Sequence, residues 1–264
     1  MKLFHTSYKQ QNSKYKFFLL QETFKYVMAI GVYTYKWVTS NLLQMEKDMK
    51  SIAVILSGCG VFDGSEIHES VLTMLALSQN KAEVHYFSPN DFQPTVINHI
   101  TGEEKVEKRN MMEEASRISR GKISPLSDAK AENFDAVIIP GGFGAAKNLC
   151  NFATKGVQCE INQQLLTFVQ KMHQQKKPLG LMCIAPVMLP KMLNAPVKLT
   201  IGNDAKTAEM ITEMGGIHIN CPVDEIVVDD EYRVVTTPAY MLAESIAQAQ
   251  VGIEKLVKKV LEMA

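Results

Sequence analysis

From Lys50 onward, short apolar runs alternate with stretches of helical periodicity. Few folds accommodate that order, because strands apolar on both faces must be covered on both faces, as in a parallel sheet between helical layers. Ser51–Leu56 reads as a buried strand closed by Ser57-Gly58-Cys59-Gly60. Ser65 then reads as the N-cap of a helix running through Ser78, with Glu66 and Glu69 in a first turn where the helix dipole favours negative charge. Ala82–Phe87 forms a second strand, and residues 89–130 are a polar excursion with a short helix around Met111–Ile118. Phe134–Ile139 is a third strand that ends in Pro140-Gly141-Gly142-Phe143-Gly144, and a helix over Asn162–Gln174 leads into a strand ending at Cys183. Val197–Ile201, a helix from Asp204 to Met214, and a hairpin of Glu225–Val228 with Arg233–Thr236 follow. Thr237-Pro238 is expected to open the last helix, whose stripe of Leu242, Ile246, Ala249, Ile253, Leu256 and Val260 would pack on the sheet.

The 264 residues suffice for one large α/β domain with a full core, and 28 basic residues balance 28 acidic ones. That balance gives no basic patch for nucleic acid. The five cysteines, Cys59, Cys150, Cys159, Cys183 and Cys221, are odd in number and lack a CxxC pair, which argues against a disulfide framework or zinc site and for a reducing, cytoplasmic setting. Residues 1–48 hold half of the aromatic residues, including Trp37, yet no arginine or proline. They are too polar for a confident membrane span and lack the features of a signal or transit peptide. They are expected to be an extension from upstream start-site choice, with the native fold beginning at Met49; a membrane-surface anchor is the lesser alternative.

The segment Pro178-Leu-Gly-Leu-Met-Cys183-Ile184-Ala-Pro186 carries the chemistry. An apolar run ending in cysteine before a proline-opened helical stretch reads as a nucleophile elbow, which pushes one side chain out of the carboxyl edge of a sheet. Backbone N–H groups at a helix N-terminus would then lower the thiol pKa. A buried core cysteine is the other reading of the same residues. Functional groups in open α/β sheets gather at the carboxyl ends of strands, and Gly58-Cys59-Gly60, Gly141–Gly144 and Cys183-Ile184 are three such ends. The amides of Ile184 and Gly142 would form an oxyanion pair, and a carboxylic acid from the first helix could shuttle a proton. Each part also has a plainer reading. The glycines could form ordinary turns, Glu66 or Glu69 could be solvated first-turn acids, and Cys59 a small loop residue or a redox partner of Cys183. His68 and His99 read first as surface histidines, with no HxxxH or HxxEH spacing for a metal, and second as candidate helpers of a thiol that has no obvious histidine base. A phosphate cradle at Gly58–Gly64 is disfavoured by Asp63 and Glu66.

Together these motifs resemble the PfpI/ThiJ superfamily, also called class I glutamine-amidotransferase-like, and within it the ElbB glyoxalase branch. The resemblance rests on Ile55–Glu69, Val96–Glu103, Pro140–Leu149, Met182–Pro186, Leu199–Gly202 and Val235–Met241, and spans essentially Met49 to Ala264. It implies a flavodoxin-like three-layer sandwich with a mostly parallel sheet, Cys183 as nucleophile on the elbow, and Glu69 beside it, with Glu66 second. It also implies the Gly142 and Ile184 amides as oxyanion donors, no cofactor, and glyoxal or another small dicarbonyl as substrate. Deglycation of glyoxal adducts, a link by name to isoprenoid biosynthesis and a homodimer follow only by analogy. No histidine stands where a Cys–His–Glu triad or the PfpI protease branch would place one: those positions hold Pro238-Ala-Tyr240 and Ile184. A redox-sensing or regulatory protein using an oxidisable Cys183 is the alternative function.

Overall fold

Ile52, Val54 and Leu56 point to one side of the first strand and Ala53 and Ile55 to the other, and both sets are wholly buried. In the computed structural model, which describes residues 49–264, this strand lies inside a sheet covered on both faces. The chain order is β1 (Ser51–Ile55), α1 (Ile67–Gln79), β2 (Glu83–Ser88), α2 (Met111–Ile118), β3 (Ser124–Pro125), β4 (Ala136–Ile139), α3 (Phe143–Lys147), α4 (Phe152–Lys155), α5 (Gln163–Gln174), β5 (Leu179–Met182), α6 (Leu189–Leu193), β6 (Lys198–Leu199), α7 (Ala205–Glu213), β7 (Ile217–His218), β8 (Val227–Asp229), β9 (Val234–Thr237) and α8 (Ile246–Met263). The seven-stranded sheet runs β3-β2-β1-β4-β5-β9-β8, with every neighbouring pair parallel except β8 against β9. This is the expected three-layer α/β fold. The expected extension over residues 1–48 lies outside the described residues.

One face of the sheet packs on Leu165, Phe168, Val169 and Met172 of α5. The other packs on Leu72, Ala76 and Leu77 of α1 and on Ala249, Ile253, Leu256, Val257 and Val260 of α8. Gly180 in β5 lets α8 approach, because a Cβ there would stand 2.9 Å from Val260 Cγ2 and 3.0 Å from Leu256 Cδ2.

Several expected boundaries move, each for a local reason. Glu66 caps α1 instead of Ser65, its carboxylate accepting the Glu69 N–H at 2.6 Å, while Ser65 Oγ accepts from Ser57 N at 2.8 Å and ties the loop shut. The run at Val197–Ile201 contributes only β6, which pairs with β7 outside the main sheet. The short strand β3 emerges from the polar excursion, so Ala136–Ile139 is the fourth strand rather than the third. Pro238 opens a short 3-10 turn over Ala239–Met241, and the last helix begins only after the Ser245 cap, which leaves Leu242 outside it.

Candidate active site

The carboxyl ends of β1, β4, β5 and β9, neighbours in the sheet, bring the loaded segments to one edge. Cys183 follows β5 directly with φ 59°, a left-handed conformation that a residue with a Cβ adopts at an energetic cost, and its side chain is buried. Its N–H is held by the carbonyl of Thr237 at the end of β9, at 3.1 Å. The elbow reading of Cys183 therefore describes the backbone, while the burial expected of a core cysteine also holds.

Glu69, one turn into α1, is completely buried and reaches the same point. Its Oε2 accepts the Gly141 N–H at 2.8 Å, its Oε1 accepts the Tyr240 N–H at 3.1 Å, and the Cys183 thiol adjoins its carboxylate and helps to stabilise it. The main-chain N–H groups of Gly142 and Ile184 are close enough to the Cys183 sulfur to stabilise its thiolate. Glycine at 141 is a steric requirement: a Cβ there would lie 2.7 Å from Glu69 Oε2 and 3.0 Å from Cys183 Sγ. At 142, φ is 90°, which also favours glycine and turns the N–H towards the thiol.

The electrostatics differ from the expectation at the thiol. Burial, and then the Glu69 charge, push the Cys183 thiol well above its ordinary value, against the opposing pull of the Gly142 and Ile184 amides. The expected depression of its pKa is thus reversed, because removing a thiolate from water outweighs two amide dipoles. Glu69 moves as well. Burial, and then the Glu66 charge, push it up to about 7, despite the hydrogen bonds from Tyr240, Cys183 and Gly141. Cys183 and Glu69 titrate as a coupled pair, in which the carboxyl loses its proton first and its charge helps to hold the proton on the thiol.

The remaining candidates fall elsewhere. Glu66 is the α1 cap, and its own N–H donates to the Gly141 carbonyl at 3.0 Å, so it contributes structure and charge rather than contact with the thiol. His68 is exposed and shares a 2.8 Å hydrogen bond with the Tyr240 hydroxyl. His99 is occupied by the loop after β1: one ring nitrogen accepts from Phe62 N at 3.2 Å, and the other lies 3.1 Å from the Ile97 carbonyl. Cys59 is half-buried beside the cluster that includes Cys183, with its thiol raised first by burial and then by Glu114. Two contacts of Glu69 escaped the sequence reading. Gly141 and Tyr240 hold Glu69 through their main-chain N–H groups, and no side-chain chemistry in the sequence announces that role.

The profile of the DJ-1/PfpI family matches residues 51–247. The mitochondrial ES1 protein homolog of Rattus norvegicus is 44% identical over 222 residues, covering 80% of this chain and 83% of that protein. The mitochondrial glutamine amidotransferase-like class 1 domain-containing protein 3 of Homo sapiens is 42% identical over 231 residues, covering 84% of this chain and 86% of that one. Among solved structures, an isoprenoid biosynthesis protein with an amidotransferase-like domain from Ehrlichia chaffeensis superposes with a TM-score of 0.77 at 36% identity, covering 81% of this chain and 99% of that one. The names of the two curated relatives, and of a Danio rerio ES1 protein at 33% identity, correct the cytoplasmic expectation, since all three are called mitochondrial. Unpaired cysteines report a reducing setting and not which compartment supplies it, which is why the inference from Cys usage failed.

Proposed function

This chain belongs to the DJ-1/PfpI family, and from that premise we propose that it is a cofactor-independent glyoxalase of the ElbB type, converting glyoxal to glycolate. The observation that carries the reading is the convergence of the Cys183 thiol, the Glu69 carboxyl and the Gly142 and Ile184 N–H groups at one buried point. In the tautomer with the proton on Glu69, Cys183 is a thiolate and adds to one aldehyde carbon of glyoxal, forming the C–S bond. The oxygen that gains charge lies near the Gly142 and Ile184 amides and takes the Glu69 proton, giving a hemithioacetal. The regenerated carboxylate then removes the proton from the sulfur-bearing carbon to form an enediolate; the hydroxyl proton of that carbon passes to the neighbouring oxygen, and Glu69 returns its proton to the second carbon. One carbon is thereby oxidised to a thioester and the other reduced to an alcohol, so no external oxidant is required. Water then cleaves the glycolyl thioester, releasing glycolate and restoring the thiol.

A carboxyl poised at about 7 suits both the donating and the accepting halves of this sequence at neutral pH. A buried carboxyl held beside the thiol by the Gly141 and Tyr240 N–H groups favours this reading over the redox sensor, which has no use for a proton-transfer group. The names of the relatives support a mitochondrial setting for this chain. Purified protein incubated with glyoxal should form glycolate, and Cys183→Ser should not. Equal glycolate formation by the variant would end the proposal.

A further inference from the structure

Residue 240 grips two consecutive positions of α1. Its N–H donates to Glu69 Oε1 at 3.1 Å, and its hydroxyl lies 2.8 Å from His68 Nδ1, with the two rings 5.7 Å apart. We propose that Tyr240 is the positioning residue of Glu69, and that the hydrogen bond between Tyr240 and His68 keeps the Tyr240 N–H aimed at the carboxyl. This rests on Glu69 being the group that serves the thiol in the reading above.

The cap of α1 is made without the His68 side chain: the Glu66 carboxylate accepts the Glu69 N–H, and the Gly141 carbonyl accepts the Glu66 N–H. The strained element lies on the other side of the contact. Ala239 is buried at φ 44°, in the left-handed region that residues with a Cβ rarely enter. Such a conformation persists where its surroundings over-determine it. Here the short turn after β9 is held by Met241 N on the Pro238 carbonyl at 3.0 Å, and at its tip by the two Tyr240 contacts. The preceding residue, Thr237, accepts the Cys183 N–H, so the same few residues steady both members of the thiol–carboxyl pair.

The charged and titratable groups around Glu69 are Glu66 on its own helix, Cys183 on the elbow, and Tyr240 with its partner His68. The Tyr240 N–H stabilises the Glu69 carboxylate. A loosened N–H should therefore raise the pH at which the pair loses its first proton.

The test is the titration of the Glu69 carboxyl itself, followed by the carboxyl carbon NMR shift of protein labelled in its glutamates, with Glu69→Gln identifying the signal, a readout independent of any substrate. Wild-type protein should show a midpoint at about 7. Tyr240→Phe and His68→Ala should each move it upward by about half a unit, a change of roughly threefold in the proton equilibrium. The double variant should move no further than either single one, because both remove the same bond. His68→Asn, whose amide can take the place of Nδ1, should keep the wild-type midpoint. An unmoved midpoint in the single variants, additive shifts in the double one, or no midpoint in the wild type would each overturn the inference. A protein that shows the shifts but forms no glycolate would sustain the positioning role and end the glyoxalase reading.

Discussion

Glu66 Oε2 accepts the N–H of Glu69 at 2.6 Å, so of two acids one turn apart, one terminates the helix and the other enters the site. The first is spent as a cap while still lending its charge to the second. That division of labour gives the two residues separable signatures. Glu69→Gln removes proton transfer while keeping the shape, and glycolate formation should fall about 10²–10⁴-fold. Glu66→Gln keeps a side-chain oxygen for the cap but deletes the charge, so the Glu69 midpoint should move to lower pH with a smaller loss of rate. Both are read from pH–rate profiles of glycolate formation, and an inactive Glu66→Gln beside an active Glu69→Gln would reverse the assignment.

The raised Glu69 value also couples stability to pH. The folded protein holds this proton up to about 7, whereas an ordinary glutamic acid releases it near 4.5. A group raised in the folded state contributes stability that is present below the lower value and lost as pH climbs through the upper one. The stability of Glu69→Gln relative to wild type should therefore rise steadily across that window and level off above it. Thermal unfolding at a series of pH values measures the difference, and a flat difference would mean that Glu69 is not raised.

Gly141→Ala places a methyl group against Glu69 Oε2 and Cys183 Sγ at the centre of the pair. Displacement of reacting groups on the order of 1 Å can cost about 10²-fold in rate, and a loss of at least that size is expected here. Circular dichroism should remain that of the folded protein, since the strands on either side are unaffected. Wild-type glycolate formation by this variant would show that the two groups do not act together.

Gly180→Ala tests the packing beneath the site. The added methyl meets Val260, Leu256 and Ile138, at 2.9, 3.0 and 3.2 Å. Overpacking of this kind costs about 1–3 kcal/mol. A lowered Tm with near-normal activity per folded molecule is the expected result, and an unchanged Tm would mean that α8 can shift without cost.

Strand and helix identities were readable from the chain because they depend on local patterning: apolar runs at 51–56 and 134–139, and helical stripes at 162–174 and 246–260. The elbow at Cys183 and the glycines at 141 and 142 were likewise visible, since each marks a backbone constraint within a few residues. The choice between Glu66 and Glu69 could be favoured but not decided locally. Both lie near the start of the same helix, and only the position of Gly141, brought over from β4, separates the cap from the acid that reaches the thiol. The sign of the Cys183 shift was beyond the sequence for the same reason. Amides at a turn can be inferred from neighbouring residues, but burial arises from layers contributed by α1, α8 and four strand ends that are distant in the chain. The grip of Tyr240 on Glu69 spans 171 positions and runs through a main-chain N–H, which every residue but proline carries, so tertiary structure alone could assign it.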